Sequence, residues 1–398
     1  MKNMITIFLK EMKEVLRDRR TLILMIVMPL LLFPVIINVT TTFMMKLEKG
    51  AEEKILKVSV LLNGNKPGFE QKIRERKDMS IEEEVVENKI KNLITLKKLD
   101  FAVVFDKNFD NQVETMEPAD VRLYYRSSAE MDISKRRIDK LLKKHGEELL
   151  NERFARLDID KKVINTLNIE MNDIATVKEK FGERAGGLLP YMFVIFCFIG
   201  AMYPAIDLGA GEKERGTIET LLVSPASRFQ IVMGKFWVVT AAGIISALLS
   251  VTGLFVSIKM NTQIPGEILQ VILKIIDIKS ISVIFSLLFP LSIFFAGLLL
   301  SFSLYAHSFK EAQSIITPLN FAIIIPAFIG TLPGIKLDTV TAMIPVLNVS
   351  LASKEIISGT IKAGLLIEVY ASLIALAGLS LYFCVKWFNR ESVIFRAE

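Results

Sequence analysis

Six stretches of the chain stay apolar for roughly the 20 residues a helix needs to cross a bilayer: 21–43, 187–207, 232–258, 281–306, 315–332 and 363–387. Between the first and second the pattern changes. Residues 44–186 hold short β-branched or aromatic runs at 55–62, 99–105 and 121–125, with a turn signal at Asn63-Gly64-Asn65. Charged stretches of helical spacing lie over 68–98 and 132–156. The expected architecture is a polytopic α-helical membrane protein with six transmembrane helices and a large extracytoplasmic α/β domain, 44–186, between helices 1 and 2. Residues 1–20 read as an amphipathic basic helix, with Ile5, Phe8, Leu9, Met12 and Leu16 on one stripe. Such a helix lies in the headgroup layer with its apolar face down. Residues 335–359, which include Pro345, read as an outer re-entrant or interfacial segment, and 388–398 as a cytoplasmic tail.

Composition sharpens this picture. Of 398 residues 52% are hydrophobic and 23% charged, and the mean hydropathy is +0.43. Residues 46–184 carry 29 basic and 28 acidic side chains, so a nearly neutral polar block interrupts an otherwise apolar chain. The net charge of +6 comes from basic residues beside the apolar runs, where they set topology and do not point to nucleic acid. Fourteen Lys and Arg flank the spans on the side of the N-terminus, against six in the short loops opposite. Both termini are therefore expected in the cytoplasm, and the 44–186 block outside. The first apolar run is too long for a signal-peptide core and lacks an Ala-x-Ala cleavage site, so it reads as a retained span. Cys197 and Cys384 sit within apolar runs, and His145 and His307 are far apart, so neither a disulfide nor a zinc site is expected.

The cytoplasmic loop 208–231 is the most informative segment. Gly209, Gly211 and Gly216 are expected to turn the backbone sharply at the membrane surface. Thr217 suits an N-cap, and Glu219 suits the first helical turn, where the helix dipole favours an acid. Ile218, Leu221 and Leu222 make a small apolar face, and Ser224-Pro225 stops the helix. The residues alone fit a plain connector or a helix that docks in a partner's groove.

The string Glu212-x-Glu214-Arg215-Gly216-Thr217-x-Glu219-x-Leu221-Leu222-x-x-Pro225, followed by Gly234-Lys235, resembles the coupling-helix region of ABC transporter permeases of the type-2 export family. Three further stretches fit the resemblance. They are Lys10-Glu11-x-x-Glu14-x-x-Arg17-Asp18-x-Arg20-Thr21, Ser308-Phe309-Lys310-Glu311-Ala312-Gln313, and Ile344-Pro345-x-Leu347-Asn348-x-Ser350-Leu351. The large block between spans one and two is similar to that of the sodium-extrusion members. The resemblance implies a permease in a prokaryotic plasma membrane, paired with a second copy and driven by cytoplasmic ABC ATPase subunits. It makes Glu212, Glu214, Arg215, Gly216, Thr217, Glu219, Leu221, Leu222 and Pro225 the ATPase-coupling residues, and sodium the leading cargo ahead of an antimicrobial peptide, drug or lipid. No cofactor is expected in this chain, with ATP and magnesium on the partner. In keeping with that, the chain has no Gly-x-x-x-x-Gly-Lys-Ser/Thr loop, since Phe236 follows Gly234-Lys235.

Polar residues at membrane depth are the candidates for a pathway: Asn38, Asp207, Asn320 and Glu368. Asp207 is also expected to pair with Lys213 or Arg215. A membrane enzyme would show His-Glu-x-x-His, Gly-x-Ser-x-Gly or paired carboxylates at membrane depth, and none occurs in the sequence. A receptor would need a larger cytoplasmic part than these loops provide.

Overall fold

The computed structural model describes residues 2–62, 68–83, 85–127, 129–159, 176, 179, 187–261, 278–332 and 334–389. The Asn63-Gly64-Asn65 turn, most of 160–186 and the tail from 390 lie outside them. The chain forms two compact units: residues 1–38 with 173–398, and residues 39–172.

In the first unit, α1 (Lys2–Val15) is followed by α2 (Arg19–Glu53), which continues past residue 38. Then come α7 (Leu188–Glu214), α8 (Thr217–Leu222), α9 (Arg228–Met260), α10 (Ile278–Tyr305) and α11 (Phe309–Ile329). Two short helices, α12 (Thr339–Met343) and α13 (Leu347–Ser358), precede α14 (Ala363–Phe388). Among the described residues, α2, α7, α9, α10, α11 and α14 are long and apolar enough to cross a membrane. The six expected spans are all present, with shifted ends. The amphipathic N-terminal helix stops at Val15, not at residue 20. Asp18 opens a new helix by accepting hydrogen bonds from the Arg20 and Thr21 amides at 3.2 and 3.1 Å. Burial alone would raise the Asp18 carboxyl, but those bonds and the Thr21 hydroxyl outweigh it and hold the group below its usual range. Helices α9 and α11 likewise begin earlier than their apolar runs, at the caps Ser227 and Ser308.

Helix α7 is the most buried of the six and packs against α9 and α10. Small residues allow this: a Cβ on Gly243 of α9 would lie 2.8 Å from the Cys197 carbonyl of α7. Both cysteines are free and buried. The 335–359 segment forms α12 and α13, and α13 is buried along most of its length against α7, α10 and α11.

The second unit has strands β1 (Leu56–Leu62), β2 (Met79–Ile81), β3 (Phe101–Phe105) and β4 (Val121–Tyr125) in the order β2-β1-β3-β4. Strand β1 runs parallel to β2 and β3, and β4 is antiparallel to β3. Every residue of β3 is buried, so FAVVF is continuously apolar where a half-exposed strand would alternate. Helices α3 (Gly68–Arg74) and α6 (Ala129–Leu157) supply Phe69, Ile73, Ile138 and Leu141 to one core, with Val58, Phe101 and Val103 of the sheet. Helix α4 (Ile90–Thr95) covers Ala102 and Val104 from another side, and α5 (Phe109–Glu114) follows β3. Strand β2 corrects the sequence reading, which expected only helix over 68–98. Its three residues stand among charges, too few for alternation to register.

Candidate functional site

The segment from Asp207 to Pro225 is not the loop that its glycines suggest. Helix α7 continues through a wide π-turn at Asp207–Gly211 and ends at Glu214. Gly209 and Gly211 are helical, and their role is close packing: Gly209 lies against Ser303 of α10 and Gly211 against the Asp207 carboxylate. The reversal comes only at Gly216, whose φ of 69° suits a residue without Cβ. Gly216 is also the N-cap of α8, the place expected for Thr217. The Thr217 hydroxyl donates instead to the Glu212 carbonyl at 3.2 Å. Helix α8 ends at Leu222, and the Ser224 hydroxyl closes its last turn by donating to the Leu221 carbonyl at 2.6 Å.

The four consecutive charges at the end of α7 reach four different places. Glu212 turns inward to Lys235 of α9. Lys213 donates to the carbonyls of Leu304 and Ala306 at the end of α10. Glu214 accepts the Phe309 amide at 2.7 Å and so caps α11. Arg215 meets Asp207 at 2.8 Å, a bond that raises the guanidinium further above its usual range. The segment thus ties α9, α10 and α11 to the end of α7.

Lys235 is the centre of the inward contact. Sequence reading had it only as the entry to the third span, but it is fully buried, with Glu11 of α1 equally buried and Glu212 2% exposed. Its Nζ touches Glu212 Oε1, lies 3.8 Å from Glu11 Oε1, and donates to the Leu208 carbonyl at 3.0 Å. Gly234 beside it lets α1 approach: a Cβ there would stand 2.7 Å from Ile7 Cγ2. The face of α1 turned to the bundle is Ile7, Glu11 and Val15, while Ile5, Leu9 and Leu16 of the expected stripe remain exposed. The i, i+4, i+8 spacing of Ile7, Glu11 and Val15 could have revealed that second face.

The coupling residues implied by resemblance therefore divide. Arg215, Gly216, Thr217, Glu219 and Pro225 are exposed, with Val223 88% exposed beside them. Glu214 is exposed but committed to α11. Glu212 and Ile218 are buried, and Leu221 packs against the same core, so the apolar side of α8 faces its own protein. Leu222 lies in α8, and its side chain is outside the described set.

The four pathway candidates stand on four helices. Asn38 of α2 donates to the Pro34 carbonyl at 2.8 Å, and Asp207 of α7 holds Arg215. Asn320 of α11 and Glu368 of α14 are half-buried, and Glu368 Oε2 has no hydrogen-bond partner among the described residues. His307 bonds Glu311 at 3.0 Å at the start of α11, an end-of-helix role. Among the described residues no group of three or more His, Cys, Asp or Glu could hold a metal ion.

A family model described as ABC-2 family transporter protein matches residues 19–385. The chain is 25% identical over 378 residues to the ABC transporter permease protein NatB of Bacillus subtilis (strain 168), covering 94% of each chain. No solved structure matches it.

Proposed function

Because this chain belongs to the ABC-2 family of transporter proteins, it is the membrane permease subunit of an ABC transporter whose ATPase is a separate protein, and from that premise we propose that it extrudes sodium ions. The observation that carries the coupling part of this reading is the end of α7. Its charges tie it to α9, α10 and α11, and it continues into an exposed surface at Arg215, Thr217, Glu219 and Pro225. A cytoplasmic NatA-like ATPase, holding ATP and magnesium, presses on that surface. The bonded helices then move together, because the contacts at the end of α7 are buried or capped and do not slide in solvent.

In this reading the chain lies in a prokaryotic plasma membrane with both termini cytoplasmic, and the 44–186 block is extracytoplasmic. A second copy completes the pump: α2, α11 and α14 leave most of their apolar length uncovered by the chain itself, enough for both lipid and a partner permease. Asn38, Asp207, Asn320 and Glu368 line the cargo route, since oxygen ligands are what a dehydrated sodium ion requires. Sodium leads on the similarity of the whole layout, a large polar block between spans one and two, to sodium-extrusion permeases. A second cargo class is favoured by a specific feature. An almost wholly apolar groove of about 340 Å³, lined by Met4, Ile5, Phe8, Trp237 and Phe289, suits an amphiphile such as an antimicrobial peptide, drug or lipid.

The test is ATP-dependent uptake of labelled sodium into inside-out vesicles that contain the permease and its ATPase, with an amphiphile as competitor. Sodium uptake that requires both chains and ATP is the expected result. Strong amphiphile uptake without sodium movement removes sodium as cargo and leaves the amphiphile reading.

A further inference from the structure

The buried junction of α1, α7 and α9 holds two carboxylates and one ammonium. Glu11 and Lys235 have no exposed surface, and Glu212 is 2% exposed. We propose that Glu11 and Glu212 together hold one proton beside Lys235, so that this junction is a proton-binding site. Two observations carry it independently. The first is charge: the enclosed groups are two acids and one base, so with all three ionised the enclosed set carries one negative charge in excess, which is unfavourable at this depth. The second is hydrogen bonding: Glu11 Oε2 and Glu212 Oε2 are both buried without a hydrogen-bond partner among the described residues. A carboxylic acid supplies a donor where two bare acceptors now stand.

The surrounding cations stand nearer to solvent than the three enclosed groups. From α1, Lys10 approaches Glu11 at 3.2 Å, with its side chain half-exposed and shared with Glu14 at 3.3 Å. From α7, Arg215 is taken by Asp207 at 2.8 Å, and Lys213 by the carbonyls that end α10. Lys235 is what α9 contributes, and part of its donor capacity goes to the Leu208 carbonyl. Lys10, Lys213 and Arg215 thus all keep some exposure to solvent, whereas the fully enclosed groups are two acids and one base. The proton belongs to the pair and not to one residue, because both acids face the same ammonium and either can neutralise the excess.

The placement gives the proton a consequence. Glu11 lies on α1, the element that closes over Gly234, and Glu212 on the segment that ties the long helices together. With the proton bound, the cluster is neutral and α1 stays seated. Without it, two carboxylates oppose each other across one ammonium, and the seat of α1 weakens. Rising pH then loosens α1 from the coupling segment.

Infrared difference spectra of the full-length protein in lipid vesicles, titrated from mildly acidic to alkaline pH in ordinary and heavy water, test this without cargo or ATPase. The expected result is a protonated carboxyl band at neutral pH that survives Glu368→Gln and is lost in both Glu11→Gln and Glu212→Gln, since removing either acid leaves the other ionised and paired with Lys235. Where a Gln variant fails to fold, Asp at the same position is expected to shift the band. No band in the unaltered protein, a band lost in only one Gln variant, or a band unmoved by the Asp variants overturns the proposal. A band that disappears when sodium is added at constant pH also overturns it, and assigns the site to a metal cation.

Discussion

Removing the ammonium of Lys235 leaves Glu11 and Glu212 inside the protein with no cation at their centre. Breaking a buried pair by deleting one partner costs about 3–5 kcal/mol, because the remaining charge is uncompensated. Lys235→Met keeps most of the length of the side chain and removes the ammonium, so it is expected to destabilise the membrane unit by about that amount. Adding Glu212→Gln should restore most of the loss, since Glu11 keeps Lys10 at 3.2 Å. Thermal unfolding of the two variants in vesicles measures both values, and a double variant no more stable than Lys235→Met alone would falsify the pairing. The same reasoning says which substitutions the Glu212-x-Glu214-Arg215 string would not accommodate. An Asp at 212 is one methylene too short to keep the Lys235 contact from the same backbone position, and a Lys at 214 removes the acceptor that caps α11.

At the scale of elements, His145 couples the second unit to pH. It lies on α6, with its ring 5.3 Å from Phe69 and 6.4 Å from Phe105, and the Lys72 ammonium 2.9 Å from Nδ1. Burial first, and the Lys72 charge second, push the imidazole below its ordinary value, against the opposing pull of Glu148 and Glu152. The unfolded chain therefore binds this proton more readily than the folded one. Stability is complete above the unfolded value of about 6.5 and falls as pH drops through it toward the folded value. Protection of the β3 amides against hydrogen exchange should decline between neutral and mildly acidic pH, and His145→Phe, which keeps a ring beside Phe69, should flatten that decline. Three of the four strands of this unit were legible because their apolar runs are long. The three-residue edge strand Met79–Ile81 was not, since nothing local marks it and its partner is more than 20 residues away. The six long helices were legible for the same reason as the long strands. Their starts were not, because a cap such as Asp18, Ser227 or Ser308 extends a helix beyond its apolar run. The candidate site was legible in its exposed half only. Gly209 and Gly211 look like turn residues in sequence, and only the approach of Ser303 shows that they pack. Glu11 and Lys235 are 224 positions apart, a pairing that periodicity does not carry.

Across the whole molecule, the question is how work done on one surface reaches helices that a bilayer surrounds. Arg215, Thr217, Glu219 and Pro225 of the segment are exposed, whereas Ile218 on the other side of α8 is 3% exposed within the core. Ile218 and the bonded end of α7 are thus the contacts through which a push on α8 would have to act. Glu219 separates transmission from folding. It is exposed in the first turn of α8 and takes part in neither of the ion pairs that hold the segment together, Glu212 with Lys235 and Arg215 with Asp207. Reversing its charge leaves those contacts in place. It replaces a favourable acid at a helix N-terminus with a base, a loss of about 0.3–1 kcal/mol that a membrane protein of this size tolerates. If a separate ATPase seats on this surface, the same reversal costs far more there, because a charge opposite to the one the groove accommodates meets it at close range. Glu219→Arg is therefore expected to leave the protein folded and inserted, with the thermal unfolding of the unaltered chain, while ATP-driven transport falls to background and the ATPase no longer co-purifies. Unchanged ATP-driven transport by this variant means that the force enters elsewhere, and the bonded end of α7 is then a brace within the permease and not its input.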